Sequence, residues 1–141
     1  MLENIHQSIE TYINDNMSLT PIKFSLTRRM ARDFSLPDAP MLYDGVDNFV
    51  VFDVDVSFSG SASIGNEAKR SKGMVIVDIY VQSNTPDRST YKIADTISSF
   101  LARQVFNGII FRDVNKAGSY ESGKWQVTTF TFEFLTTKMV N

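Results

Sequence analysis

Apolar and polar positions change period along this chain, and each change marks an element. Leu2, Ile5, Ile9, Tyr12 and Ile13 recur at three- and four-residue spacing, which predicts an amphipathic first helix ending near Asn14-Asp15-Asn16. Thr20-Pro21-Ile22-Lys23-Phe24 reads as a short extended piece, an edge strand, because proline removes a ladder donor and biases its predecessor away from helix. From Phe49 to Phe58 the pattern alternates. Val50, Phe52, Val54, Val56 and Phe58 take one face; Phe49, Val51, Asp53, Asp55 and Ser57 take the other. That is a strand with one wet or partner-facing side. Met74 to Gln82 repeats the logic, with Val75, Val77, Ile79 and Val81 opposed to Met74, Ile76, Asp78, Tyr80 and Gln82. The small residues of 59–66 join the two as a hairpin longer than the tight two-residue kind.

Ser83-Asn84-Thr85-Pro86-Asp87 then switches the period from strand to helix, with Thr85 or Asp87 as cap and Pro86 in the first turn, where its missing donor costs nothing. Tyr91, Ala94, Ile97, Leu101 and Val105, with Ile93, Phe100 and Phe106 beside them, form a broad stripe that stops at Asn107-Gly108. Ile109-Ile110-Phe111 opens a strand, Lys116-Ala117-Gly118-Ser119 turns it, and Trp125 to Leu135 alternates Phe130, Phe132 and Phe134 against Thr129, Thr131 and Glu133. The order α-β-β-β-α-β-β, joined by hairpins, predicts an α+β fold: a mainly antiparallel (mixed) β-sheet with two α-helices packed on one face. Residues 27–47 hold no clean period, and a loop of that length is uncommon in a compact domain unless it has work to do. Its Arg28, Arg29 and Arg32 stand beside Phe34, Leu36, Met41, Leu42 and Tyr43. They read as an arm laid on another subunit, with apolar anchors supplying the energy.

Composition narrows the classes. The 141 residues fit one domain, 1–141, with 43% hydrophobic content for its core. No cysteine is present, which removes disulfides, thiolate metal sites and cysteine nucleophiles together and leaves the redox compartment undetermined. A net charge of -2 argues against a general nucleic-acid binder, which carries a basic face. The start Met1-Leu2-Glu3-Asn4-Ile5-His6 has no basic region followed by an apolar core and is expected to be mature protein. No apolar run approaches the roughly 20 residues that cross a bilayer, so no membrane role is expected. The 11 Phe, 5 Tyr and single Trp exceed what one small core needs and point to assembly.

Little in the chain suggests chemistry. His6 is the only histidine, so a triad or imidazole metal site would have to be built almost without imidazole. The strand-to-helix junction at 83–87 carries a prolyl nitrogen that cannot donate and an Asp that repels anions, which makes it a capped turn and not a phosphate cradle. Asp53, Asp55 and Asp78 are expected on one sheet face, where their oxygens are candidate ligands for Mg²⁺ or Ca²⁺. Alternating Asp on a sheet is equally ordinary surface chemistry that discourages aggregation. Two basic clusters, Lys23 with Arg28, Arg29 and Arg32, and Lys69 with Arg70 and Lys72, read as solvated loop charge ahead of phosphate contact.

Thr20-Pro21-Ile22 after a first helix, a Gly-bearing loop, Lys72-Gly73-Met74-Val75-Ile76-Val77-Asp78-Ile79-Tyr80 and the helical Ile93-Ala94-Asp95-Thr96-Ile97 together resemble the phage tail-terminator family, the small tail-completion proteins of the neck in lambda-like tailed phages. The resemblance runs from about residue 1 to 135. It implies a non-enzymatic structural protein of the virion, assembled in the host cytoplasm as a ring, usually a hexamer, on the head-proximal end of the tail tube. Such a ring halts tube polymerisation and offers a docking face to the head-completion or connector protein, while DNA passes through its lumen without sequence-specific binding. It implies no cofactor. The strand 72–81 and the helix 91–106 would be scaffold, and the loop 27–47, longer than the family pattern, would reach the neighbouring subunit or the tube. A lumen that conducts DNA should not grip it, and an acidic sheet face supplies such a wall. The alternatives are a head-tail connector or tube subunit of the same assembly, a small divalent-metal-dependent enzyme using the three aspartates, or a host-side binding module with no assembly role.

Overall fold

In the computed structural model, residues 2–20, 25–27, 48–61, 68–84 and 87–139 are described. The alternating stretches become long strands and the periodic ones become helices. Helix α1 (Leu2–Met17) is followed by β1 (Ser25–Thr27), β2 (Asn48–Ser61) and β3 (Ala68–Gln82), then by α2 (Asp87–Leu101), β4 (Val105–Phe106), β5 (Ile109–Ser122) and β6 (Trp125–Met139). The fold is α+β, as the period changes predict. One six-stranded sheet has the order β1-β2-β3-β6-β5-β4. Every pairing is antiparallel except β1 with β2, where Leu26 lies beside Val51 in parallel register.

Strand β3 sits between β2 and β6, with Val77 opposite Phe52 on one side and Phe130 on the other. That register aligns Val50, Phe52 and Val54 with Val75, Val77, Ile79 and Val81 and with Phe130, Phe132 and Phe134. All are buried in one cluster with Ile9, Ile13 and Met17 of α1 and Ile93, Ile97 and Leu101 of α2. Both helices therefore pack on the same face, each through the stripe its 3.6-residue period dictates. Burying a side chain the size of Leu, Ile or Val contributes about 1.5–3 kcal/mol relative to exposure, which gives this layer the largest stabilising role.

Gly73 is needed where the β2 backbone passes close to β3. A Cβ there would collide with the carbonyl oxygen of Asp55 and press into the Phe134 ring. The register shift in β2 between Val56 and Phe58 falls at the same place. It also ends the simple alternation, so that Phe58 pairs with Lys72.

Four expectations change. The helical stripe was extended to Phe106, yet α2 ends at Leu101; Arg103 adopts φ 61°, and its N–H donates to the carbonyl of Arg112. Asn107-Gly108 is not a helix stop but the turn of a β4–β5 hairpin, with φ of 48° and 75°. Positive φ at both central residues is what a type I′ turn requires, and Asn-Gly supplies it at least steric cost. Strand β5 does not turn at 116–119; it continues to Ser122, absorbing extra residues in bulges between Phe111 and Val114 and between Lys116 and Gly118. The turn comes at Gly123-Lys124, where Gly123 has φ 60°. Tyr91, expected in the core stripe, is 46% exposed and meets Phe130 of the core edge-on. Of the edge strand expected over 20–24, Thr20 ends the turn after α1 and 21–24 fall outside the described residues; the expected arm 27–47 has its first residue, Thr27, in the edge strand β1 and its remainder outside the described residues.

Ile97→Asp or Leu101→Asp places an unpaired charge in the helix-sheet core and is expected to abolish folding at a cost of roughly 3–5 kcal/mol or more. A soluble, cooperatively unfolding variant would contradict the core assignment. Gly73→Ala is expected to lower stability by about 1–3 kcal/mol, the range of overpacked cores, read as a fall in the urea midpoint at unchanged slope.

Candidate functional site

The sheet face away from the helices carries the residues the sequence singles out. Pairing places Asp78 opposite Val51 and Thr129, Asp53 opposite Ile76, and Asp55 opposite Met74. The three carboxylates share this face, as expected from the alternation. They differ in surroundings. Asp78 is 4% exposed, and its Oδ1 accepts a hydrogen bond from Thr129 Oγ1 at 2.6 Å; Asp53 is half-buried and Asp55 exposed. Among the described residues no three His, Cys, Asp or Glu side chains converge on a point that could hold a metal ion. Asp53 and Asp78 are diagonal neighbours, spaced about 7–8 Å at their Cα atoms by sheet geometry, and Asp55 lies two residues further along.

Beside Asp78 the face becomes aromatic. Phe49 stacks on Tyr80 with centroids 4.4 Å apart and meets Trp125 edge-on at 5.0 Å. With Val51 and Val127 they form a second buried cluster that contains no helix residue. This is the face expected to be wet or partner-facing; five residues of it are a second small core. The Trp125 Nε1–H is buried and has no hydrogen-bond acceptor among the described residues.

Another site lies where α1 meets the β4–β5 hairpin. Tyr12 stacks on Phe106 at 3.8 Å, and its hydroxyl donates to the carbonyl of Phe100 at 2.6 Å. Burial raises the Tyr12 pKa above the ordinary phenol value. The open groove above this pair has a volume of about 460 Å³, and its polar lining comprises Asn4, Gln7, Ser8, Thr11, Asp15 and Asn107. These are mainly amides and hydroxyls; no nucleophile-base pair is among them. His6 is not drawn into it. Its Nδ1 lies 3.1 Å from Glu10 Oε1, one turn along the helix surface.

The hairpin is tied to the end of α2 by Arg103, whose guanidinium donates to Asp113 Oδ2 at 2.6 Å. The hydrogen bond from Arg103, the backbone N–H of Val114 and the Arg103 charge lower the Asp113 pKa. On the outer side of the hairpin, Val105 and Ile110 face each other across the two strands and are 66% and 44% exposed. The row continues to Leu135 of β6, which is half-buried. The sequence reading missed this patch by assigning Val105 to a helix; Val-Phe and Ile-Ile flanking Asn-Gly were the available hairpin signal.

Of the residues read as an interface, Arg28, Arg29, Arg32, Phe34, Leu36, Met41, Leu42 and Tyr43 all lie outside the described residues. In the second basic cluster, Lys72 is exposed on β3.

No protein-family model matches the chain, and no curated protein does. Sixteen chains of solved structures do. One, of a protein whose name states no function, superimposes with a TM-score of 0.50 at 9% identity, covering 67% of this chain and 71% of the other. At that identity the likeness concerns the fold alone.

Thr129→Val removes the hydroxyl donated to the buried Asp78 carboxylate and is expected to cost about 1.5–3 kcal/mol, measured by urea unfolding with emission from Trp125, the sole tryptophan. The lowered Asp113 pKa stabilises the folded state above the unfolded carboxylate value near 4, and that contribution is lost as pH falls through the lower folded value. Asp113→Asn is therefore expected to flatten the acid limb of stability against pH, and an unchanged limb would show that the exposed pair contributes nothing.

Proposed function

We propose that the protein is a structural component of a phage neck, a tail terminator that assembles as a ring on the head-proximal end of the tail tube. The observation that carries the reading is the order of elements and short motifs along residues 1 to 135, a likeness of plan and not of site chemistry. A ring of this kind stops addition of tube subunits by occupying their docking surface. Its opposite face receives the head-completion or connector protein, and DNA passes through the lumen. No catalytic group and no cofactor takes part.

Two physical features support the reading. A structural ring needs two different contact patches on each copy, and this chain exposes aliphatic side chains at separate places outside its core, Val105 with Ile110 on a hairpin and Leu19 after α1. A lumen wall must repel phosphate enough to let DNA slide, and Asp53 and Asp55 on the sheet face away from the helices, with Glu133 in register beside Met74, have that character. The chain as a whole is weakly acidic, with a net charge of -2.

The test is the mass of the purified protein by light scattering, with and without Mg²⁺, and its effect on a polymerising tube protein of the same phage type. The expected result is a discrete closed oligomer of about six copies that arrests tube growth when added below stoichiometry. A protein that polymerises without limit would instead be a tube subunit. A concentration-independent monomer with no effect on tube length would overturn the reading, and an oligomer seen only with Mg²⁺ would bring the aspartates into the interface.

A further inference from the structure

The hairpin patch and the end of α1 have complementary properties. Val105 and Ile110 stand outward because the residues beside them are anchored inward: Ile109 is buried, and Phe106 is stacked between Tyr12 and Phe111. The type I′ turn at Asn107-Gly108 holds this arrangement. Exposed Arg103 and Arg112 flank it, with Asp113 already engaged by Arg103. The result is an apolar centre with a polar, partly cationic rim, the usual anatomy of a protein interface.

After the last turn of α1, Leu19 is 84% exposed. It too is held in place. Its N–H donates to the carbonyl of Asn16, the N–H and hydroxyl of Thr20 donate to that of Met17, and the Ser18 hydroxyl donates to that of Asp15. Residues 2–20 contain three carboxylates, Glu3, Glu10 and Asp15, and no lysine or arginine. Asp15, in the last turn of α1, is exposed, so the end of the helix that carries Leu19 is net acidic. A single exposed aliphatic residue is ordinary on any surface. Two aliphatic patches of opposite surrounding charge, both on rigid backbone, lose little conformational entropy when they meet.

We infer that these patches bind each other between copies of the chain: Leu19 of one copy seats on the Val105–Ile110 hairpin of the next, with Asp15 facing Arg112. This rests on the ring reading above and names the contact that would close the ring. Made in one direction only from copy to copy, the contact is heterologous, whereas a two-fold exchange of the same pair would stop at a dimer. The one-directional contact hands each copy on to another and ends only when the rotation closes.

The experiment uses the full chain with Val105→Asp, Leu19→Asp and their equimolar mixture. Both sites are exposed, so each variant is expected to unfold cooperatively with the parent's Trp125 emission. Each variant alone should fall to monomer mass. In the mixture, the hairpin left intact in Leu19→Asp can take up the Leu19 left intact in Val105→Asp. One such contact forms and no second can follow, so the mixture should give a dimer and nothing larger. Either variant retaining the parent's oligomer mass overturns the contact while leaving the ring reading standing. So does a mixture that stays monomeric, or a Leu19→Asp protein that dimerises alone through hairpin against hairpin. A monomeric parent protein removes the ring reading itself and the contact with it.

Discussion

The register of β3 between β2 and β6 is the constraint on which the rest of the structure depends. Side chains alternate along a strand, so one residue of slip would carry Val75, Val77, Ile79 and Val81 to the opposite face and put Asp78 and Tyr80 under the helices. Both helices rest on the aliphatic row that this register creates. Neither packs extensively on the other elements without it. Gly73 belongs to the same constraint, because it lets β3 pass close to the Asp55 backbone where β2 shifts register.

The register also makes the sheet's second face uneven. At one end Phe49, Tyr80 and Trp125 bury one another; in the middle a buried carboxylate is held by Thr129; towards the other end Asp55 and Glu133 are exposed. A strand pattern can be apolar on both sides for part of its length and on one side for the remainder, and β2 and β3 do this in step. The same division separates stability from encounter. The helix-covered face and the aromatic cluster hold the fold, while the charged end, the hairpin and the end of α1 carry its exposed charged and aliphatic side chains.

The exposed aliphatic side chains of the hairpin are held by a stiff frame. The β4 strand is only two residues long, yet its turn, the Phe106 stack and the Arg103–Asp113 pair fix its position against α1 and α2. Side chains placed outward by such a frame are already in their binding arrangement, which reduces the entropy lost on association. The exposed ion pair adds orientation and little stability.

Much of the architecture was legible in the residues themselves. The period of 3.6 in Leu2 to Ile13 and in Tyr91 to Phe106 identified two helices, the second beyond its true end at Leu101, and the period of two in residues 49–58, 74–82 and 125–135 identified three strands and the face each turns to the helices, because periodicity is a local property of an amphipathic element. What failed were the segments where a local pattern supports two answers. Val105-Phe106 continues a helical stripe and also starts a hairpin; Lys116 to Ser119 has turn composition and is also a bulged strand. Only pairing with β6 and the stacking of Phe106 on Tyr12 decided between them, since backbone hydrogen bonds and ring contacts come from residues distant in the chain. The placement of the three aspartates on one face followed from alternation, whereas the burial of Asp78 and the exposure of Asp55 did not. Those depend on which neighbours the fold brings over each carboxylate, and no sequence period carries that information.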